Sequence, residues 1–478
     1  MIPSVKIEKS DFQTGVVRAG AIGTLAIIAS AGQGDANLAQ SFSDPNDVLT
    51  EYGDSPLTEI AALDMAHAQK PVVCVRPTAS TAAVIGTPTQ AGVGSSDVTA
   101  SGTPLDYFDV LVTFTTGGTG GTAGIVYTYS LDGGKNTSAK QALGTALSFV
   151  IPRSGITITI ETAETVLSGQ TFAARTTPAL MNNTDLTTAL AALKASTAQW
   201  DALIVDAAID STMLGTINTW IAGLRSEGKS KTFFVNTRCQ DAGESAATFA
   251  SAMATALGSA RGPLVGCVGY GFAWVTSPLR GLRFRRPVAL AAAAHAMRVD
   301  MATDLNNRQE GPLTFAQISD DAGNPKWHNE VKNPGADDLG FVTLMQEDGD
   351  GVYVTNPNLY SPSGSDYVYL QQARVINRCE EICYQVLKGQ LSIGIETKNG
   401  KITEGEASRL ESLCNRAMAR EMLGDTRRAN ATRLVLSRND DLSSNSGATL
   451  TGKIEVNPLK YVKKFELKSV FSDLAVSA

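Results

Sequence analysis

The sequence contains one literal match to a phosphate-binding loop, residues 223–230 (GLRSEGKS), in which four residues separate a glycine from Gly-Lys-Ser. In such a loop a strand enters and a helix leaves, so that backbone N–H groups and the helix dipole face the phosphates. Here the order is reversed, because the pattern predicts a helix over residues 211–227 and a strand over residues 231–236. We therefore interpret Gly228 as a helix cap. A nucleotide-binding α/β enzyme is kept as the less favoured alternative.

The remaining residues that could do chemistry are scattered. The three histidines, His67, His295 and His328, lie in neither an HExxH nor a CxxC context, and zinc sites need such clusters. No GxSxG element is present, so a serine hydrolase has little support. The sequence therefore predicts no catalytic residue, no metal site and no cofactor.

A basic run, RGLRFRRP at residues 280–287, differs from the rest of a chain whose net charge is −7. One interpretation is a solvated loop. The other is a docking patch for an acidic protein surface, because the guanidinium group matches carboxylates with two hydrogen bonds. Direct nucleic-acid binding ranks third, since Phe284 is the one aromatic residue in the run and the whole chain is acidic.

The bulk composition favours assembly. A chain of 478 residues is long enough for about three domains. Charged residues make up 18%, below the roughly 25% of ordinary soluble domains, and a surface with few charges is easier to bury against neighbours. We expect no membrane insertion, because no apolar run approaches the ~20 residues of a membrane helix. The six cysteines are expected to be reduced core thiols, with cross-linking between neighbouring copies as an alternative.

Hydrophobic patterning predicts an α/β fold. Buried strands are predicted at residues 24–29, 71–77, 201–207 and 231–236, with helices between them, which indicates a mostly parallel sheet flanked by helices. Residues 78–175 are rich in Thr, Gly, Ser and Val and read as an inserted antiparallel β domain. Residues 361–391 are predicted to form a long helix with Ser365 or Asp366 as its N-cap.

The two chain ends are strand-like and cannot bury their own faces. Val5 and Ile7 alternate with charged residues near the start, and Ile454 and Val456 do so near the end. Pro458 would place the late strand on a sheet edge. Such segments add to another sheet or fray.

At these residues the chain resembles the contractile tail sheath proteins of bacteriophages. The match consists of Asn-Pro-Asn at 356–358, a helix introduced by Ser-Asp-Tyr at 365–367, and a late strand-rich tail. Residues 2–30 resemble the extended entry arm and first buried strand of that family. The likeness covers both ends and the α/β middle but not residues 78–175.

The resemblance implies a domain plan. It predicts an N-terminal extended arm at 1–24, an α/β sheath domain at 25–77 plus 176–310, and the inserted, protruding β domain at 78–175. A C-terminal α+β sheath domain at 311–450 would end in an exchanged strand at 451–478.

The resemblance also implies a function. Such subunits polymerise as stacked rings around a tail tube and contract to drive the tube through the host envelope. The expected partners are further copies of the chain, the tail tube protein, and baseplate and neck or terminator proteins, with no direct nucleic acid. The expected location is the virion, after assembly in the host cytoplasm. The sheath of a phage-like injection or secretion particle is the alternative.

Two sets of residues follow from this interpretation. Strand exchange between subunits is assigned to Ser4, Val5, Lys6, Ile7, Glu8, Lys453, Ile454, Glu455 and Val456. Contact with the tube or a neighbouring subunit is assigned to Arg280, Arg283, Arg285 and Arg286.

Overall fold

The computed structural model describes residues 23–92, 98–240, 244–258, 261–262, 266–320, 326–391, 393–424, 426–443 and 449–463. The predicted exchange residues Ser4, Val5, Lys6, Ile7 and Glu8 lie outside the described residues, as does the tail beyond residue 463. The chain divides into two compact units, Met1–Ile393 and Gly394–Ala478.

A six-stranded sheet forms the centre of the first unit. Its strands, in spatial order, are β17 (Gly266–Gly269), β16 (Thr232–Asn236), β15 (Ala202–Ala208), β1 (Leu25–Ile28), β3 (Val72–Val75) and β2 (Ala39–Phe42). All neighbours are parallel except β2, which runs antiparallel to β3. The five parallel strands are almost fully buried, which explains why they are nearly continuous apolar runs, whereas the edge strand β2 is partly exposed. The predicted α/β character is confirmed.

Helices cover both faces of this sheet. The helices are α1 (Pro45–Tyr52), α2 (Pro56–Ala68), α3 (Asn183–Ala195), α4 (Ser211–Ser226), α5 (Ala246–Leu257) and α6 (Val288–Arg298). Successive side chains of a strand point to opposite faces. Leu25 and Ile27 accordingly pack in the core that contains α2 and α6. Ala26 and Ile28 pack in the core that contains α3, α4 and α5.

Residues between β3 and α3 form a β region with its own core. Its strands are β4 (Val84–Ile85), β5 (Thr89–Ala91), β6 (Val98–Gly102), β7 (Asp109–Thr116), β8 (Gly118–Thr119), β9 (Val126–Ser130), β10 (Gln141–Ala142), β11 (Ser148–Ile151), β12 (Ile156–Ile160), β13 (Thr165–Val166) and β14 (Thr171–Thr177). These strands pair antiparallel. Alternating residues of β7, including Val110, Val112 and Phe114, are buried in the core of this insertion.

Smaller elements complete the first unit. They are the three-stranded sheet of β18 (Phe272–Thr276), β19 (Arg283–Pro287) and β20 (Ala316–Gln317), the hairpin of β21 (Leu344–Gln346) and β22 (Val352–Val354), and helix α7 (Leu370–Lys388). Helix α7 begins later than predicted. Tyr369 is its N-cap and makes no side-chain cap bond. Ser365 lies in a separate turn before the helix, where its hydroxyl oxygen accepts a hydrogen bond from the N–H of Tyr367 at 3.1 Å.

The described part of the second unit contains two hairpins and one helix. Its elements are β23 (Thr397–Lys398), β24 (Lys401–Ile402), α8 (Glu404–Met422), β25 (Ala429–Leu436) and β26 (Gly452–Pro458). This division differs from the predicted domain plan, because residues 311–393 belong to the first unit. The predicted terminal strand also pairs inside the chain, since β26 runs antiparallel to β25. No helix in the described ranges has the length and apolar content needed to cross a membrane.

Candidate assembly site

The hairpin of β25 and β26 is built on helix α8. The buried residues of α8 recur at helical spacing and are Ala407, Leu410, Cys414, Met418 and Met422. This apolar stripe packs against β25, whose Leu434 and Leu436 are buried. Thr403 caps the helix by accepting a hydrogen bond from the N–H of Glu406. The helix therefore fixes which face of the hairpin is internal.

One edge of the hairpin is closed by polar side chains of α8. Oδ1 of Asn415 accepts from the N–H of Leu434 at 2.7 Å, and Oε1 of Glu411 accepts from the N–H of Leu436 at 2.7 Å. A hydrogen bond from Arg438 lowers the pKa of Glu411, so this carboxylate stays ionised and remains an acceptor at neutral pH. The edge of β25 therefore has no room for another strand at these positions.

The opposite edge, on β26, pairs with no other strand among the described residues, and we call it the open edge. Ile454 stands opposite Leu434, and the N–H of Leu434 points away from β26 towards Asn415. The two residues therefore form a non-hydrogen-bonded pair, and the N–H and C=O of Ile454 also point away from β25. By alternation, Gly452 and Val456 present their backbone groups on the same side. In the part of the chain that the structure describes, β26 pairs with β25 alone.

The structure separates the four predicted late exchange residues into two classes. Lys453 and Glu455 direct their backbone groups towards β25, and Glu455 forms a cross-strand ion pair with Arg433. Ile454 and Val456 present theirs at the open edge. An unpaired row of N–H and C=O groups is a template for an added strand. Sequence alternation located the strand, but only the register shows which residues face outward.

The arginine run is internal rather than exposed. The Arg286 guanidinium donates to both carboxylate oxygens of Asp106, at 2.5 and 2.7 Å, and the two side chains are 2% and 1% exposed. Arg285 lies 2.8 Å from Oδ1 of Asp109 and donates to the carbonyl oxygen of Thr176 at 2.8 Å. Asp106, Asp109 and Thr176 all belong to the insertion. These contacts join β19 to the insertion.

The other two arginines extend this connection. Arg280 is buried against Asp54 and lies 3.2 Å from Oε1 of Glu59. Arg283 stacks over the ring of Trp274, 4.1 Å from its centroid. This placement corrects the predicted role of the run. Arg280, Arg285 and Arg286 are committed to internal carboxylates, so they do not form an exposed patch, and Arg283 is partly enclosed.

Buried carboxyl groups surround the Arg286–Asp106 pair. Burial raises the pKa of Asp206 to about 7, with Arg286 opposing that rise and Asp106 adding to it. Burial also raises the pKa of Glu59, again opposed by Arg286. A perturbed carboxyl in a cleft would suggest catalysis, but Asp206 is 2% exposed and Glu59 is 3% exposed. We interpret the cluster as structural.

The phosphate-loop-like segment has the reversed order that the sequence predicted. Helix α4 ends at Ser226 and β16 begins at Thr232, and Gly228 takes a left-handed φ of 75°. The N–H groups of Gly228 and Lys229 donate to carbonyl groups of α4. Two of the backbone donors that a phosphate would need are therefore already bonded.

The histidines and cysteines form no metal site among the described residues. Nε2 of His67 lies 3.4 Å from Nδ1 of His295, and burial lowers the pKa of both rings to about 4, so they pack as neutral side chains. All six cysteines are free thiols, and five are buried. The sixth, Cys239, is half-buried, which gives little support to cross-links between copies.

The whole fold matches solved contractile sheaths. The helical sheath of the anti-feeding prophage in its contracted state has a TM-score of 0.52 at 10% sequence identity, covering 98% of this chain and 99% of that chain. The contracted sheath complex of an extracellular contractile injection system, PVC, gives 0.52 at 10% identity, covering 99% and 98%. The chain has the fold of a contractile sheath protein. The predicted resemblance is thus confirmed at the level of the fold.

Other comparisons add less. The sheath tail protein Lin1278 from Listeria innocua is 13% identical, with a TM-score of 0.45 over 93% of this chain and 97% of that chain. No family model and no curated protein matches the sequence. The sheath-fold neighbours are structural proteins and not enzymes.

Proposed function

We propose that this chain is a structural subunit of a contractile sheath, which polymerises around a tube and shortens to drive the tube through an envelope. The observation that carries the proposal is the likeness to contracted sheaths over almost the whole chain. The open edge of β26 supports it, because an unpaired strand edge is a place where another copy can add a strand.

The particle we propose is a bacteriophage tail, with a tail tube protein inside the sheath and baseplate and neck or terminator proteins at its ends. The subunit would assemble in the host cytoplasm and reside in the virion. The two neighbours with the same fold belong to an anti-feeding prophage and an extracellular injection system, which favours a phage-like injection particle as the second candidate. Purified particles that contain DNA would indicate a phage.

Strand exchange is the proposed link between copies. An extended segment of a neighbour, proposed to be Ser4–Glu8, would pair with the outward backbone groups of Ile454 and Val456. Each hydrogen bond contributes about 0.5–1.5 kcal/mol net, so one added strand stabilises the contact by only a few kcal/mol. Repetition over a lattice of tethered subunits makes the whole mesh stable. The driving energy would be stored as metastable packing, without a nucleotide.

Deletion of residues 1–15 is expected to give soluble, folded subunits that no longer form tubes, because the donor strand is lost. Negative-stain microscopy of the purified full-length chain and the deletion variant measures this directly. Hollow cylinders in the full-length sample support the proposed function. Cylinders of normal length from the deletion variant would show that the N-terminal segment is not the donor.

Ile454→Pro is expected to abolish tube formation while the second unit stays folded. Proline lacks the N–H that points to the open edge, and proline is tolerated at an edge position whose N–H faces away from the ladder. The matched control is Ile454→Ala, which keeps the N–H and should still polymerise. Circular dichroism checks the fold and sedimentation checks the polymer. Normal polymers from the proline variant would reject this edge as the acceptor.

A further inference from the structure

A second surface of the first unit is a groove of about 540 Å³ at the ends of α3, α4 and α7. The aromatic rings of Trp200 and Tyr384 form part of its wall. Gly228 is required beneath Tyr384, because a Cβ there would come within 2.2 Å of the ring. The groove is therefore built by close packing between the α4–β16 turn and α7.

The groove carries an excess of positive charge. Its cationic residues are Lys194, Lys229, Lys231, Arg378 and Lys388, against the two carboxylates Glu227 and Glu381. Lys194 and Lys229 share Glu227, while Lys231 and Arg378 share Glu381. Lys388 is exposed and lies 5.9 Å from the centre of the Tyr384 ring. In an acidic chain, this concentration of cations fits a negatively charged partner.

The opposite charge lies on helix α1. Asp47 and Glu51 are four residues apart and share one face of the helix, and Asp44 is its N-cap, whose carboxylate accepts a hydrogen bond from the N–H of Asn46. Asp44 and Asp47 are exposed and Glu51 is half-buried. No lysine or arginine occurs between residues 23 and 69. We call this surface the α1 acidic face.

Nearby cations do not neutralise the α1 acidic face. Arg153 and Arg280 pair with Asp54 instead, and Arg76 donates its hydrogen bonds to backbone carbonyl groups. Within the described ranges, the three carboxylates of the face form no salt bridge. The chain thus carries a basic groove and an unneutralised acidic face on different elements.

We propose that the basic groove of one subunit binds the α1 acidic face of a second copy of this chain. The inference deepens the proposed function and rests on it. Two different surfaces of the same molecule meet, so the contact is heterologous, and such contacts generate rings or open helical polymers rather than closed dimers. Trp200 and Tyr384 supply apolar area in the groove, and the charges set the register of neighbouring copies.

The test reverses the charge of each surface separately. Asp47→Lys with Glu51→Lys makes the acidic face positive, and Lys229→Glu with Lys388→Glu makes the groove negative. Each double variant alone is expected to stay unpolymerised, at least tenfold below wild type in pelleted protein at about 50 mM salt, where charge screening is weak. Mixed in equal amounts, the two variants should co-polymerise, because each reversed surface then meets its complement.

Three results are informative. A wild-type chain that forms no polymer contradicts the proposed function itself. A polymerising wild type whose two reversed variants also polymerise alone overturns the groove contact and leaves strand exchange standing. Variants that fail alone and also fail as a mixture show that the two surfaces do not bind each other. Lys140→Glu with Lys326→Glu, at exposed positions elsewhere, is the matched control and should polymerise normally.

Discussion

Replacing Arg286 with methionine is expected to destabilise the first unit by about 3–5 kcal/mol at pH 8, the usual cost of breaking a buried ion pair by removing one partner. The Arg286–Asp106 pair is bidentate and almost fully buried. Without the guanidinium, Asp106 keeps a buried negative charge with no cation directly bonded to it. The carboxyl groups of Glu59 and Asp206 lose the same cation.

The stability lost on replacing Arg286 with methionine should depend on pH. Burial raises the pKa of Glu59 and of Asp206, and Arg286 partly opposes both effects. In the variant the carboxyl groups of Glu59 and Asp206 are therefore protonated over a wider pH range, and protonation removes their buried charge. We expect the destabilisation to be smaller at pH 5 than at pH 8.

Urea unfolding monitored by tryptophan fluorescence measures this effect. All four tryptophans, Trp200, Trp220, Trp274 and Trp327, belong to the first unit, so the signal reports on that unit. Both variants are made in the Ile454→Pro background, which under the proposed strand exchange is expected to keep the chain monomeric. The control is Arg308→Met, because Arg308 is 38% exposed in its pairs with Glu347 and Asp350, and its removal should cost at most about 1 kcal/mol. Equal losses for the two variants would contradict a structural role for the buried pair.

Asp206→Asn is expected to stabilise the chain at pH 8 and to have little effect at pH 4. Asp206 is buried on β15, and neither carboxylate oxygen has a hydrogen-bond partner within the described residues. Its pKa is about 7 in the fold, against an ordinary value of 3.8. Each unit of pKa difference corresponds to ~1.4 kcal/mol, so ionising Asp206 in the fold costs on the order of 4 kcal/mol.

The direction of this pH dependence follows from the coupling between protonation of Asp206 and folding. Because the folded pKa is raised, the stabilising effect of the neutral carboxyl is fully present below pH 4 and is lost as the pH rises through 7. Asparagine does not titrate, so the stability difference between variant and wild type should grow from pH 4 to pH 7 and then level off. Unfolding free energies across this range in the monomeric background measure it, with Asp47→Asn as an exposed control. A difference that does not change with pH would show that Asp206 is not the titrating group.

The buried charges that both predictions test lie where the insertion meets the α/β core. Arg285 and Arg286 link β19 to Asp109 and Asp106 of the insertion, and Arg280, just before β19, pairs with Glu59 of α2. Buried ion pairs oppose any change in the angle between the parts they join. In the proposed function, this cluster would keep the insertion fixed to the α/β core while contacts between copies rearrange.

The amino-acid sequence by itself determined the local elements. Apolar runs such as Leu25–Ile28 and Ala202–Ala208 predict strands buried on both faces, and the helix-to-strand order around Gly228 already argued against a phosphate loop. These features are local because they depend on residues within a few positions of each other. The strand containing Ile454 was also predictable from alternation.

Tertiary structure decided what those elements do. Arg286 looks like a surface charge in the sequence because its partner, Asp106, is 180 residues away, and only folding shows that the two are buried together. The open edge of β26 depends on its register with β25 and on Asn415 of α8, since a shift of one residue would reverse which backbone groups face outward. Long-range pairing and register are set by packing between distant segments, and no local pattern records them.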